Sequence, residues 1–138
     1  MITIRYANIN DIQQIRTVAS ETWISTYKEI YSLEFINDFV NRAYSDQSLT
    51  HSIERDLQDK VRKFLVALNE DNELIGYAQV RQETDHVFEL LRIYVDPSSQ
   101  NIGVGTLLIN EYIRTLKPVK IIKAWVEKDN YIGRAFYS

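Results

Sequence analysis

The sequence predicts a mixed α/β fold: a single sheet, mostly antiparallel with one parallel pair of strands, and helices on both faces. Helical and strand-like stretches alternate along the chain in the order β, helices, β-β-β, α, β, α. The three consecutive strands favour an antiparallel run, and the strand–helix–strand unit after them favours a parallel crossover. With 138 residues, of which 45% are hydrophobic, we expect one domain over 1–138 with its own core.

The N-terminal half is predicted to contain one strand and three helices. The stretch "MITIRYA" alternates between polar and apolar residues, as a short strand does. In "NINDIQQIRTVASETWISTY" apolar residues recur at helical spacing behind the polar residues Asn8 and Asn10. The stretch "SLEFINDFVNRAY" repeats this spacing with Ile36, Phe39 and Val40, and "LTHSIERDLQDK" is expected to form a third, shorter helix.

The C-terminal half begins with two stretches that have the composition of strands. The stretches "RKFLVAL" and "ELIGYAQV" flank the polar turn "NEDN", which is typical of a hairpin. The strand "HVFELLRIYV" is ended by Asp96 and Pro97. Beyond it, "VGTLLINEYIRTL" is helical, Pro118 interrupts the pattern and "VKIIKAWV" is a strand. We expect "DNYIGRAFYS" to form a last helix capped by Asp129 or Asn130.

The composition excludes several classes of function. A net charge of −3 and a pI near 5.4 provide no basic field for nucleic acid or an anionic membrane. The absence of cysteine excludes disulfides, thiolate metal sites and a cysteine nucleophile. With only His51 and His86 and no HExxH pattern, we expect no metal site. Polar residues near the N-terminus argue against a signal peptide or spanning helix, so we expect a cytoplasmic protein.

The segment "DPSSQNIGVGTLL" places Gly103 and Gly105 between a strand and a helix. The free backbone N–H groups at the start of a helix suit phosphate oxygens. The dinucleotide fingerprint would need a third glycine where Leu108 stands, and the phosphate-loop pattern lacks its GK[ST]. From these residues alone, a tight turn without any ligand is the alternative.

Two motifs resemble those of a known family. The stretch "LLRIYVDPSSQNIGVGTLLI" resembles the acetyl-CoA signature of the GNAT family of N-acetyltransferases, with Gln100, Gly103 and Gly105 at its three defining positions. The stretch "NYIGRAFY" resembles the family's Asn-x-x-Ala-x-x-Phe-Tyr helix, with Asn130 and Tyr137 at matching positions and a glycine in place of alanine. The opening "TIRYANINDIQQI" is similar to the family's first strand and helix. The whole pattern is most like the bacterial polyamine (spermidine/spermine) branch.

The resemblance implies an acetyl-CoA-dependent N-acetyltransferase. The acceptor would be a primary amine of a small molecule, with a polyamine among the candidates, and it would attack directly within a ternary complex. Acetyl-CoA would be the co-substrate, with no metal. The implied cofactor-binding residues are Ile93, Tyr94, Val95, Gln100, Asn101, Ile102, Gly103, Val104, Gly105 and Asn130. The alternatives are a non-catalytic acetyl-CoA-binding domain and a plain nucleotide-binding module.

Two residues are candidates for proton transfer. The resemblance implies that Tyr137 protonates the departing thiolate, and a phenol pKa near ~10 would keep it protonated at neutral pH. It also implies that Glu89 is a general base. Strict alternation along the strand predicts that Glu89, Leu91, Ile93 and Val95 share one face, and we expect a backbone N–H near Val95 to meet the oxyanion. The alternatives are a core tyrosine and a solvated strand carboxylate.

Two further features stay open at this point. Trp23, Tyr27 and Tyr31 form either part of an acceptor pocket or part of the core. Members of the family usually continue past the Phe-Tyr pair with two more strands, whereas this chain ends at Ser138, so we expect the C-terminal strands to be missing. The strand "VKIIKAWV" would then be an exposed edge through which the protein forms a homodimer.

Overall fold

The computed structural model describes residues 1–100, 102–116 and 121–124 of the chain. Within these ranges the elements follow the predicted order, and the predicted last helix lies outside them. The elements are β1 (Thr3–Tyr6), α1 (Ile12–Tyr27), α2 (Leu33–Ala43), α3 (Asp46–Gln58), β2 (Phe64–Leu68), β3 (Leu74–Thr84), β4 (Val87–Val95), α4 (Val104–Thr115) and β5 (Ile121–Ala124). Short 3-10 turns precede α1 and follow β4.

The helix α3 is longer than the sequence pattern predicted. It has 13 residues against 11 in α2, so the expectation of a shorter third helix is wrong. It begins at Asp46 because the Ser45 hydroxyl accepts a hydrogen bond from the Ser48 N–H at 3.1 Å and caps its first turn. The pattern started at the first apolar residue, Leu49, and therefore missed the polar first turn.

The strands form one sheet in the order β1-β2-β3-β4-β5. The first four strands pair antiparallel, and β4 pairs with β5 in parallel across the connection made by α4. The predicted antiparallel run and the predicted parallel pair are both confirmed.

Both faces of the sheet are covered, and each has its own hydrophobic core. One core lies under α1, α2 and α3, here called the α1–α3 face, and the other lies under α4, here called the α4 face. The strand β2 contributes to both, with Phe64 and Val66 on the α1–α3 face and Leu65 and Ala67 on the α4 face. This alternation explains why every residue of β2 is buried. In the described ranges, no helix is long and apolar enough to cross a bilayer.

The pairing of β3 with β4 contains a bulge at Leu91. Gln79 lies opposite Arg92, whereas the next residue, Val80, lies opposite Leu90. Leu91 therefore has no partner on β3, and the two-residue period of the strand is broken there.

The bulge changes which side chains of β4 share a face. Ile93 and Val95 pack into the core of the α4 face together with Phe88 and Leu90, while Tyr94 packs against the α1–α3 core. The predicted alternation, which put Ile93 and Val95 on the face opposite Phe88 and Leu90, is therefore wrong. Strict alternation assumes a regular strand, and the extra residue shifts every later side chain to the other face.

Candidate functional site

The two halves of β4 have different neighbours. The strand β5 pairs with Val87–Leu90 and, in the part of the chain that the structure describes, reaches no farther along β4. Beyond the bulge, β4 is paired with β3 alone within the described ranges. Among the described residues, therefore, no strand covers the outer edge of β4 from the bulge to Val95, here called the open edge.

The hydrogen-bond pattern shows which backbone groups lie on this open edge. The Asp96 N–H donates to the Ile75 carbonyl at 2.8 Å. In an antiparallel ladder such a bond lies next to a non-hydrogen-bonded pair, here Gly76 and Val95. The N–H and C=O of Val95 therefore point away from β3, and the alternation of the ladder directs those of Ile93 the same way.

The Val95 carbonyl already has partners on that side. The Thr22 hydroxyl lies 3.3 Å from it, and the Gln100 side-chain amide donates to it at 3.2 Å. The Gln100 bond ties the loop after β4 back to the end of the strand. At Val95, the N–H is therefore the backbone group of this edge that a ligand can bind.

The loop after β4 leads into the N-terminus of α4. Gly103 is the residue before the helix, at φ +86°, and no side chain caps the helix start. The first intrahelical bond runs from the Leu107 N–H to the Gly103 carbonyl at 3.0 Å, so the N–H groups of Val104, Gly105 and Thr106 have no acceptor within the helix. These donors, at the positive end of the helix, suit the diphosphate of a nucleotide.

Gly103 is needed for its conformation. A Cβ added there would meet no atom within 4 Å, so within the protein itself there is room for a side chain. The left-handed backbone is the constraint, because side chains other than hydrogen disfavour it.

Gly76 is a second glycine with close neighbours, and the motifs in the sequence did not point to it. A Cβ at this position would lie 3.1 Å from the Tyr94 carbonyl oxygen and 3.1 Å from a Val104 methyl. The missing side chain lets the first turn of α4 lie directly on the sheet. An isolated glycine inside a strand pattern is the signal that could have found it.

Tyr94 was predicted to bind the cofactor together with Ile93 and Val95, but its side chain lies on the other face of the sheet. Its hydroxyl accepts a hydrogen bond from the Trp23 indole N–H at 3.1 Å. Burial raises the pKa of Tyr94, and the neighbouring Tyr44 phenol raises it further, so the hydroxyl is neutral at physiological pH.

Glu89 lies in the half of β4 that β5 covers. Its carboxylate forms an ion pair with Arg81 at 3.0 Å, and its side chain is only 13% exposed. The alternative of a solvated strand carboxylate is therefore wrong. Its role as a general base stays a prediction.

An aromatic cluster connects α1 with α2. It is described by its ring-to-ring contacts and consists of Trp23, Tyr27, Tyr31, Phe35 and Phe39. The inner rings, Trp23, Tyr27 and Phe39, pack against the α1–α3 core, whereas Tyr31 and Phe35 are 42% and 45% exposed. The cluster thus belongs partly to the core and partly to the surface.

The remaining predicted site residues, Asn101, Asn130 and Tyr137, lie outside the described residues. Ile102, in the loop, is exposed. Across the described ranges, no group of three or more His, Asp or Glu side chains is arranged to hold a metal ion.

The geometry and the comparisons with known proteins agree. The model of the Acetyltransferase (GNAT) family matches residues 21–138. This protein belongs to the GNAT family. It is an acetyl-CoA-dependent N-acetyltransferase, and acetyl-CoA is its co-substrate. The family, the fold class and the activity that the two motifs implied are confirmed.

Two relatives come from Thermoplasma acidophilum. The spermidine N(1)-acetyltransferase of that organism is 32% identical over 138 residues, which cover 99% of this chain and 84% of that protein. A crystal structure of its PaiA N-acetyltransferase in complex with coenzyme A matches with a TM-score of 0.87 at 31% identity, covering 99% of this GNAT chain and 86% of the other.

A more distant GNAT structure shows the same fold. The aminoglycoside N-acetyltransferase AAC(6')-Iy in complex with CoA matches with a TM-score of 0.69 at 19% identity. The match covers 99% of this chain and 84% of that one. At this identity the likeness concerns the fold alone.

Proposed function

We propose that this N-acetyltransferase acts on a primary amine of a small molecule, that a polyamine of the spermidine type is the acceptor, and that the amine attacks directly in a ternary complex. The observation that carries the proposal is the open edge of β4, which ends beside the uncapped N-terminus of α4. The 32% identity to a spermidine N(1)-acetyltransferase supports the acceptor class.

The proposed binding mode uses backbone more than side chains. The pantetheine arm lies along the N–H and C=O groups of Ile93 that point away from β3, and the thioester carbonyl at its end reaches the Val95 N–H. The diphosphate lies at the N–H groups of the loop and of the first turn of α4, from Asn101 to Thr106. Gln100 contributes by holding this loop against the end of β4. The resemblance adds Asn130 to this site.

The proposed reaction forms one bond and breaks another. The amine nitrogen attacks the thioester carbonyl carbon, and the Val95 N–H stabilises the oxyanion that forms. Collapse of this intermediate breaks the C–S bond, the nitrogen gives up a proton, and the thiolate of CoA takes one. In this scheme Tyr137 supplies the proton to the thiolate.

The proton released by the amine needs an acceptor. Glu89 is the candidate on β4, and its carboxylate also forms the ion pair with Arg81. A water molecule between the amine and Glu89 would let the ion pair persist during proton transfer. If Glu89 acts in this way, Glu89→Gln lowers kcat while the acetyl-CoA affinity is kept.

The test of the proposed function is thiol release from acetyl-CoA with a panel of amines: spermidine, a monoamine, an aminoglycoside and an amino acid. We expect spermidine to give the highest kcat/KM. Tyr137→Phe should lower kcat about a hundredfold. Binding of acetyl-CoA without thiol release for any amine would favour the non-catalytic alternative.

We also propose that the protein associates with itself through β5. Within the described residues β5 is bonded only to β4, and Ile121 on it is 51% exposed. An uncovered strand edge with apolar side chains recruits other chains. Sedimentation at increasing concentration tests this, and a monomer throughout would contradict it.

A further inference from the structure

The aromatic cluster is a continuous row of ring contacts that runs from the core to the surface. The centroid distances are 4.6 Å for Trp23–Tyr27, 5.8 Å for Tyr27–Tyr31 and 4.7 Å for Tyr31–Phe35. Phe39 closes on Trp23 at 4.2 Å. Trp23 and Tyr27 are four residues apart on α1, Phe35 and Phe39 are four apart on α2, and Tyr31 lies in the turn between the two helices.

The inner end of this cluster contacts the part of β4 that follows the bulge. The Trp23 indole donates to the Tyr94 hydroxyl at 3.1 Å. The residue before it, Thr22, lies with its hydroxyl 3.3 Å from the Val95 carbonyl oxygen. A molecule that presents an amine near Val95 therefore has aromatic rings beside it as it extends along α1 toward solvent.

The outer end of the cluster is partly exposed to solvent. Tyr31 and Phe35 stack at an interplanar angle of 29° and are each more than 40% exposed. The Tyr31 N–H bonds to the Tyr27 carbonyl at 2.9 Å, so Tyr31 lies one further turn along the direction of α1. Trp23 and Tyr31 are eight residues apart, which at the rise of a helix is about 12 Å, and two nitrogens separated by about that distance need about eight carbons between them.

The charges around the outer end favour a cation. Glu34 and Asp38 immediately precede Phe35 and Phe39 on α2, and both are exposed. Glu29 adds a third carboxylate in the turn between the helices. Lys28 and Arg42 are the basic side chains of this region, so the carboxylates are in the majority.

We propose that the outer rings of the aromatic cluster, Tyr31 and Phe35, bind the distal ammonium group of the acceptor while its primary amine lies at Val95. Ammonium groups are attracted to the faces of aromatic rings within about 6 Å of the ring centroid. The inference rests on the proposed function, because it takes the amine acceptor as given. It makes the separation of two positive charges the property by which this enzyme selects its substrate.

Two amines of the same shape, one with a distal charge and one without, distinguish the effect of the charge on KM from the effect of the shape. The first is (8-aminooctyl)trimethylammonium, and the second is 9,9-dimethyldecylamine, in which carbon replaces the quaternary nitrogen. Both carry the same primary amine, and the eight carbons keep the distal charge from altering the pKa of that amine. The ratio of their KM values, isostere over cation, measures the preference for the distal charge.

The variants compare this ratio at matched positions. We expect Tyr31→Leu and Phe35→Leu each to lower the ratio about three- to tenfold, because leucine keeps the apolar contact and loses the ring. Tyr31→Phe should keep the ratio of the wild-type enzyme. An unchanged ratio in both leucine variants overturns the proposal. So does dissociation of a dimer by Tyr31→Leu without a change in the ratio, which would make this face a contact between copies.

A ligand without a primary amine distinguishes failure of this inference from failure of the proposed function. Pentyltrimethylammonium cannot be acetylated, and we expect it to shift the NMR signals of the Phe35 ring, which stacks on Tyr31, in wild type but not in Tyr31→Leu. That shift in a protein that releases no thiol with any amine would support the aromatic site and refute the proposed acceptor. Thiol release with spermidine but no shift in wild type would support the proposed function and refute the aromatic site.

Discussion

The two halves of β4 differ in what surrounds them. In the first half, Val87–Leu90, the strand has β3 on one side and β5 on the other, and Phe88 and Leu90 are buried under α4. In the second half, after the bulge at Leu91, only β3 pairs with it in the described part of the chain. In the proposed function the site forms where a strand loses a neighbour, so that main-chain groups, which every residue carries, would be its main binding groups.

The core residues of the first half should govern stability and leave acetyl-CoA binding unchanged. Phe88 is 4% exposed in the core of the α4 face, and we expect Phe88→Ala to lower the free energy of unfolding by about 3–5 kcal/mol. The acetyl-CoA affinity of the fraction that stays folded should stay within about twofold of wild type. Urea unfolding and calorimetric titration measure the two quantities, and a large loss of affinity in folded protein would break the comparison.

The loop that follows the second half should govern binding. Gly103→Val forces a β-branched residue into the left-handed region at φ +86°, and strain of this kind costs about 1–3 kcal/mol. Because no atom of the protein would clash with the added Cβ, we expect the fold to persist while the loop shifts and acetyl-CoA binds about a hundredfold more weakly. Gly103→Asn is the matched control, since asparagine tolerates this conformation. Normal binding by the valine variant would refute the site.

The contact between the second half of β4 and α4 depends on Gly76. In Gly76→Ala the new methyl group would lie 3.1 Å from both the Tyr94 carbonyl and a Val104 methyl, so the strand or the start of α4 must shift by a few tenths of an ångström. We expect a loss of about 1–3 kcal/mol in the free energy of unfolding, accompanied by a several-fold loss in acetyl-CoA affinity. A loss of stability with unchanged affinity would show that the start of α4 is not part of the site.

The smallest effect concerns the tyrosine of the second half. Burial raises the pKa of Tyr94 above that of an unfolded phenol, near ~10. Below pH 10 both states are protonated and Tyr94 contributes nothing to the pH dependence. Above it the unfolded state loses its proton first, so stability falls as pH rises. Tyr94→Phe should flatten this fall by less than about 1 kcal/mol at pH 10.5. Urea unfolding between pH 8 and 11 measures this pH dependence. The same dependence in Tyr94→Phe as in wild type would contradict a raised pKa for Tyr94.

The sequence supported a prediction of the fold and of the glycine loop, because both leave local signals. Helical and strand periods gave the order of the elements, and Gly103 with Gly105 marked the turn into α4. The bulge at Leu91 left no such signal, since a period of two is assumed to continue through a strand. The Arg81–Glu89 pair depends on the register between β3 and β4, and the role of Gly76 depends on where α4 packs. These are tertiary relations that no single stretch contains.

Amide exchange along β4, followed residue by residue with and without acetyl-CoA, tests the central claim most directly. We predict that acetyl-CoA slows exchange at the N–H groups of Ile93 and Val95 and at the start of α4, because these donors gain acceptors. The amides of residues 87–90, already between two strands, should exchange at the same rate in both states. Equal slowing along the whole strand, or slowing confined to 87–90 under conditions where acetyl-CoA binds, would contradict the claim that the open edge of β4 is the site.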